Sequence, residues 1–161
     1  MDKKKSEPTY GFYTERDVMI TMRDGIKLAT DIYFPCHGDG TIPKEKLPTL
    51  LVRTSYDKTA PEWDDIYPFF SRRGYVFVIQ DLRSRFRSEG DGKYFHAHNP
   101  WEGDDGYDTI EWLAKQEWSN KKIGTLGSSH RGIVQQQLAL KKPPHLSAMW
   151  VEAAPTNPYL H

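Results

Sequence analysis

The chain has 161 residues, and its 22 Lys and Arg residues balance 22 Asp and Glu residues, so the formal net charge is zero. This length suits one domain with a real core, and the charge balance argues against a nucleic-acid partner. The single cysteine, Cys36, excludes a disulfide framework. No apolar stretch is long enough to span a membrane, and no signal peptide is visible. The expected location is cytoplasmic or unknown, and secretion stays undecided.

A β-hairpin is the first predicted element. Residues 1–12 are predicted to form a flexible lead-in, and residues 13–161 are predicted to form one folded domain. Apolar residues alternate along the first strand, and the Asp24-Gly25 pair marks a turn. The second strand carries its apolar residues at Ile26, Leu28, Ile32 and Phe34.

Four short apolar runs follow the hairpin, and predicted helices separate them. The runs are 49–52, 75–79, 123–126 and 147–151, and the helices are 63–73, 102–116 and a segment that begins near 133. Continuous apolar runs are typical of strands that are buried on both faces. Strands that alternate with helices indicate a parallel sheet. The predicted fold class is therefore α/β, a mainly parallel sheet with helices on both faces.

Ser129 lies in a segment that is typical of a nucleophile elbow, the sharp turn between a strand and a helix. Gly127 precedes it by two residues, Gly132 follows it by three, and an apolar helical pattern begins at Ile133. Such a turn needs small residues, because the serine backbone is strained and the strand and helix pack tightly. We predict Ser129 as the nucleophile of a serine hydrolase. The glycine spacing alone fits an ordinary strand-to-helix turn equally well.

A serine nucleophile needs a base, a group that orients the base, and donors for the oxyanion. The elbow supplies the hydroxyl of Ser129 and one donor, the backbone N–H of His130. The second donor must come from another segment of the chain.

Four ordered segments carry a resemblance to a known family. They are VRTSYDK at 52–58, QDLRSRFRSEG at 80–90, WSNKKIG at 118–124 and PPHLSA at 143–148. Together they resemble the α/β-hydrolase family of X-Pro dipeptidyl-peptidases, cocaine esterase (CocE/NonD) and the glutaryl or α-amino-acid-ester acylases. The resemblance covers the chain from about residue 13 to its end and matches the N-terminal portion of such a protein.

The resemblance implies an α/β-hydrolase fold, a Ser–Asp–His triad and no cofactor. It also implies that the hydroxyl of Tyr56 is the second oxyanion donor. A phenol suits this role because it stays protonated at neutral pH and can reach a developing oxyanion. Without the resemblance, Tyr56 would be interpreted as a structural loop residue.

Two residues of the elbow depart from the family pattern. His130 stands where a tyrosine is usual, and Arg131 stands where glycine or an apolar residue is common. His130 is not expected to be the triad base, because a side chain next to the nucleophile points away from its hydroxyl. Arg131 would either attract an acidic acyl group or face solvent, and we expect the second.

The acid and base of the triad are expected beyond residue 161. In α/β-hydrolases they follow the serine in the order Asp or Glu, then His, after further strands. His145 lies in a predicted structural loop, and His161 is the last residue. The chain alone is therefore expected to be inactive. The alternative is a non-catalytic module that acts in binding or assembly through an open sheet edge.

The remaining polar clusters have structural explanations. His96 and His98 have a spacing seen in metal sites, but no other cluster completes a ligand set, so no metal is predicted. Three aspartates at 104–108 lie in the first turn of a helix, where the macrodipole favours them. The expected partner is a small ester or amide, with no nucleic acid and no membrane, and an oligomer is possible. Esterase, acylase and peptidase activities stay open.

Overall fold

The computed structural model describes residues 7–91 and 101–155. The strands of this part are β1 (Gly11–Thr21), β2 (Lys27–Cys36), β3 (Leu47–Thr54), β4 (Val76–Asp81), β5 (Ser119–Ser128) and β6 (Leu146–Glu152). The helices are α1 (Ile66–Ser71), α2 (Trp101–Ala114) and α3 (His130–Leu140), and a 3-10 turn covers Pro61–Trp63. His96 and His98 lie outside the described residues. Of the described helices, none has both the length and the apolar character that crossing a membrane requires.

The six strands form one sheet in the order β1-β2-β4-β3-β5-β6. The hairpin β1-β2 joins the sheet through an antiparallel pairing of β2 with β4. Strands β4, β3, β5 and β6 run parallel to one another. The predicted α/β class with a mainly parallel sheet is confirmed. Parallel strands end at the same edge, so the loops that follow β3, β4 and β5 can meet there.

Alternate residues of the central strands fill two cores, one on each face of the sheet. Leu51 of β3 and Val78 of β4 pack towards α2 and α3. Val52 and Phe77, their neighbours in sequence, pack with the residues of α1 and of the 3-10 turn on the opposite face. The period-2 alternation of a strand therefore supports helices on both faces, as predicted.

The hairpin begins earlier than the sequence predicts. Gly11 already pairs with Cys36 across the hairpin, and the N–H groups of Thr9 and Tyr10 donate hydrogen bonds to the carbonyl of Arg72. The paired part of β1 therefore starts ahead of the alternating residues. The reason is that backbone pairing holds this part of β1, whereas the apolar alternation that reveals a strand in the sequence starts only near Val18.

The fourth apolar run, β6, is a strand but is not buried as predicted. Among the described residues it pairs only with β5, and it lies at the edge of the sheet. The side chain of Trp150 is 71% exposed and that of Leu140, in the adjacent helix, is 79% exposed. An apolar run predicts a strand, but it does not show whether another element covers that strand.

Candidate active site

The strand-to-helix turn at Ser129 has the geometry of a nucleophile elbow. Strand β5 ends at Ser128, helix α3 begins at His130, and Ser129 between them has φ 57° and ψ −128°. This backbone conformation is strained for a residue with a Cβ. Hydrogen bonds hold it in place: the N–H of Ser129 donates to the carbonyl of Glu152 at 3.0 Å, and its carbonyl accepts from Gly132 at 2.8 Å. The residue is exposed at the carboxyl edge of the sheet.

Both glycines of the elbow are required by close approach. A Cβ at Gly127 would lie 2.5 Å from the Cβ of Arg131. A Cβ at Gly132 would lie 2.6 Å from the Cβ of Ala154. Both separations are far below van der Waals contact. The sequence correctly predicts why small residues flank Ser129.

His130 points into the protein rather than towards solvent. Its side chain is buried, and its Nδ1 lies 3.1 Å from the Oγ of Ser55. Burial, together with the positive charge of Arg53, lowers the pKa of His130 to about 4. The imidazole is therefore neutral at neutral pH and links the elbow to the loop that follows β3.

Tyr56 lies in that loop, half-buried. Its backbone N–H donates to the Oγ1 of Thr54 at 3.0 Å, and the next residue, Asp57, has a left-handed φ of 75°. The Ser55–His130 contact therefore places the segment before Tyr56 directly against the start of α3. The structure brings together the loops that carry the three predicted site residues, Ser129, His130 and Tyr56.

Lys58 anchors the other side of the same loop. Its ammonium is buried and lies 2.7 Å from Asp31 and 2.8 Å from Asp17, both in the hairpin. Its backbone N–H donates to the carboxylate of Asp81, at the end of β4, at 2.8 Å. Burial raises the pKa of Asp81 to about 6 despite these contacts. The sequence does not reveal this role of Lys58, because the partners are distant along the chain.

A second buried network lies beneath the elbow, between β3 and α2. Arg53 donates to the side chain of Gln80 at 3.0 Å and to the carbonyl of Glu102 at 2.7 Å. Asp105 forms a buried ion pair with Arg83 at 2.6 Å. The aspartates on either side of Asp105 in the helix both pair with Arg23. The macrodipole interpretation of this helical turn is therefore incomplete, since each aspartate has a specific cationic partner.

Arg131 does not face solvent as expected. Its guanidinium carbon lies 5.4 Å from the ring centroid of Tyr56 and 4.9 Å from that of Trp63. It also forms an ion pair with Glu62 at 2.5 Å, and its side chain is only 20% exposed. The expectation failed because the two rings and the carboxylate come from a loop more than 65 residues earlier in the chain.

Each histidine of the described residues is engaged away from the hydroxyl of Ser129. His37 packs against Tyr10 with 5.5 Å between ring centroids, and His145 contacts Glu111 at 2.9 Å. His130 contacts Ser55, as described above. Within 7–91 and 101–155, no group of three or more His, Cys, Asp or Glu side chains is arranged to hold a metal ion.

A mainly parallel sheet with an exposed serine at a strained strand-to-helix turn defines the α/β-hydrolase class of fold. Residues 24–161 match the family model described as X-Pro dipeptidyl-peptidase (S15 family). The chain belongs to this family, and the resemblance inferred from its four sequence segments is confirmed.

Known relatives include esterases. The chain is 36% identical over 151 residues to cocaine esterase from Rhodococcus sp. (strain MB1 Bresler), a match that covers 89% of this chain and 24% of that protein. A CocE/NonD family hydrolase from Staphylococcus aureus matches in structure with a TM-score of 0.73 at 30% identity, over 86% of this chain and 27% of that one. An α-amino acid ester hydrolase matches with a TM-score of 0.67 at 34% identity, over 88% and 25% respectively. The chain thus spans about a quarter of the length of these relatives.

Proposed function

We propose that Ser129 is the nucleophile of a hydrolase that cleaves an ester or an amide through an acyl-enzyme. The observation that carries this proposal is the conformation of Ser129, which is exposed at φ 57° and ψ −128° between β5 and α3. Backbone strain of this kind persists where the surrounding structure enforces it, and it clusters at active sites. The names of the relatives, which include two ester hydrolases, support an ester as the first substrate class to test.

In the proposed reaction, the Oγ of Ser129 bonds to the carbonyl carbon of the substrate while a base takes its proton. The tetrahedral intermediate then expels an alcohol or amine, which leaves with that proton. Water attacks the acyl-enzyme, releases the acid, and restores the serine hydroxyl.

The oxyanion of the intermediate is proposed to accept hydrogen bonds from the N–H of His130 and the hydroxyl of Tyr56. His130 is the first residue of α3, and the N–H groups of the first helical turn lie at the positive end of the helix dipole, where negative charge is stabilised. Tyr56 belongs to a loop that contacts the start of α3 through Ser55 and His130. Each such donor contributes about 10²–10³-fold to kcat in acyl transfer.

The base and its orienting acid are proposed to lie beyond residue 161, because the histidines of the described residues are engaged elsewhere. The relatives are about four times longer than this chain. The 161-residue chain alone is then expected to be inactive. The alternative, a non-catalytic binding or assembly module, is favoured by one observation, the exposed apolar side chains at and beside β6.

A fluorophosphonate probe tests the nucleophile on the full-length product of the gene. Labelling is expected for the unmodified protein and is expected to vanish in Ser129→Ala. The matched control is Ser147→Ala, an exposed serine in β6, which is expected to label normally. Labelling that persists in Ser129→Ala would show that another residue is the nucleophile. A protein that never labels would support the non-catalytic alternative.

A further inference from the structure

The side chain two residues after Ser129 contacts the proposed oxyanion tyrosine directly. Arg131 places its guanidinium 5.4 Å from the ring centroid of Tyr56, a distance at which a cation is attracted to the face of an aromatic ring. Arg131 is on the first turn of α3, and Tyr56 is on the loop after β3. The contact therefore joins the element that presents the nucleophile to the element that presents the second donor.

Arg131 is itself fixed by two neighbouring residues of the 3-10 turn. Glu62 forms an ion pair with its guanidinium, and the ring of Trp63 lies 4.9 Å from it. The indole N–H of Trp63 donates to the carbonyl of Asp57 at 3.1 Å. The ring of Tyr56 thus contacts Arg131, Arg131 contacts Trp63, and Trp63 bonds to Asp57, the residue after Tyr56.

These side-chain contacts restrain the ring of Tyr56, which the contacts that fix the loop do not. The hydrogen bond from the N–H of Tyr56 and the anchors at Ser55 and Lys58 fix the loop. The position of the phenol oxygen also depends on the two side-chain torsions of Tyr56. A planar guanidinium against the ring restrains those torsions.

We propose that Arg131 is a positioning residue, which holds the ring of Tyr56 so that its hydroxyl faces the oxyanion, while Glu62 and Trp63 hold Arg131. This inference rests on the proposed function. The inference also gives a role to the positive charge of Arg131. Because the carboxylate of Glu62 neutralises this charge, Arg131 does not bind an acidic acyl group.

A double-mutant cycle measures whether Arg131 acts through the hydroxyl of Tyr56. The variants are Arg131→Met, Tyr56→Phe and the two combined, in the full-length protein with 4-nitrophenyl acetate as substrate. Tyr56→Phe is expected to lower kcat about 100-fold, and Arg131→Met about tenfold. Once the hydroxyl is gone, Arg131→Met is expected to change kcat by less than about twofold. Arg131→Lys, which keeps the charge but not the planar group, should fall between the unmodified protein and Arg131→Met.

The matched control is Arg73→Met. Arg73 lies 3.9 Å from the ring centroid of Phe69 and bonds to the carbonyl of the same residue, away from the site. This variant removes a cation–aromatic contact of the same kind and is expected to leave kcat unchanged.

A spectroscopic readout follows the ring without relying on activity. In protein labelled with 3-fluorotyrosine, the resonance that is absent from Tyr56→Phe belongs to Tyr56. A restrained ring gives separate or broadened signals for its two flip states, and a released ring gives one narrow signal. Arg131→Met is expected to narrow the signal of Tyr56, and Arg73→Met is expected to leave it unchanged.

The outcomes separate this inference from the proposed function. An equal loss of kcat in both backgrounds, or a fluorine signal that Arg131→Met leaves unchanged, overturns the inference alone. A normal kcat in Tyr56→Phe overturns the assignment of the second donor, and the inference with it. If Arg131→Met raises KM for the 4-nitrophenyl monoester of a dicarboxylic acid but leaves kcat for the acetate unchanged, Arg131 binds the acyl group and the inference is wrong.

Discussion

Two regions of this sheet differ in the side-chain contacts that they make: the loops around the elbow, and the edge strand β6 beside it. Around the elbow, buried charges are paired across elements that are distant in sequence, as Lys58 is with Asp31 and Arg83 is with Asp105. At β6, the edge strand that pairs with β5, large apolar side chains such as Trp150 remain exposed.

The loops around the elbow need specific polar contacts, whereas an apolar strand face needs only a surface that covers it. A site that must hold a strained serine and a tyrosine loop in register needs many specific polar contacts, since each fixes one segment relative to another. Substitutions at the elbow should therefore change stability and activity strongly, and substitutions at β6 should mainly change association.

The largest effect is expected from Lys58→Met. This change leaves the carboxylate of Asp31, which is fully buried, without its ammonium partner. Breaking a buried ion pair in this way costs about 3–5 kcal/mol of unfolding free energy. Urea unfolding of the full-length protein measures the loss. Lys122→Met, at an exposed position in β5, is the matched control and should stay close to the unmodified protein. Similar stability for both variants would show that the buried network does not hold the loop.

A smaller effect is expected from Gly132→Ala, which introduces a methyl group 2.6 Å from the Cβ of Ala154. Overpacking of this kind costs about 1–3 kcal/mol, and the shift of α3 should also lower kcat. The control is Gly38→Ala, where nothing lies within 4 Å of the new Cβ. Thermal unfolding and ester hydrolysis of both variants measure the difference. Equal behaviour would mean that the elbow tolerates more space than its contacts indicate.

The elbow and the strand order are features that the sequence alone reveals. The elbow was predictable because its constraints are local: Gly127, Ser129 and Gly132 lie within six residues, and the strand and helix patterns flank them directly. The order of strands and helices is predictable for the same reason, because the apolar periodicity of each strand or helix is visible in a short stretch of sequence.

What the sequence could not predict depends on partners that are distant along the chain. Nothing near Arg131 in the sequence reveals Glu62 and Trp63 as its neighbours, so the sequence favours a solvent-facing side chain. The role of Lys58 is hidden in the sequence for the same reason. The sequence does not reveal the exposure of Trp150, because an apolar run carries no information about what covers it.

The pH dependence of stability should report the buried state of His130. Its pKa of about 4 in the folded protein lies below the usual value near 6.5, so the unfolded chain binds more protons between these two pH values. The contribution of His130 to the unfolding free energy should therefore be complete above about pH 6.5 and should be lost as the pH falls to about 4.

His130→Asn removes this titration while keeping a polar group near Ser55. Between pH 7 and pH 4.5, the variant should lose about 2 kcal/mol less unfolding free energy than the unmodified protein. Taking the difference between the two proteins cancels the titration of Asp81, which is common to both. If the unfolding free energies of the two proteins depend on pH in the same way over this range, folding does not lower the pKa of His130.

The smallest effect on stability is expected at the edge strand β6. Trp150 is 71% exposed, so Trp150→Gln should change the unfolding free energy of the 161-residue chain by less than about 0.5 kcal/mol. The same change should reduce self-association, because an exposed apolar edge strand promotes pairing between copies. Sedimentation velocity over a range of concentrations measures this. Phe86→Gln is the control, since Phe86 is 54% exposed but lies in the loop after β4 rather than at the sheet edge. If both variants reduce association equally, general surface hydrophobicity rather than the β6 edge drives association, and β6 does not differ from the rest of the surface in this respect.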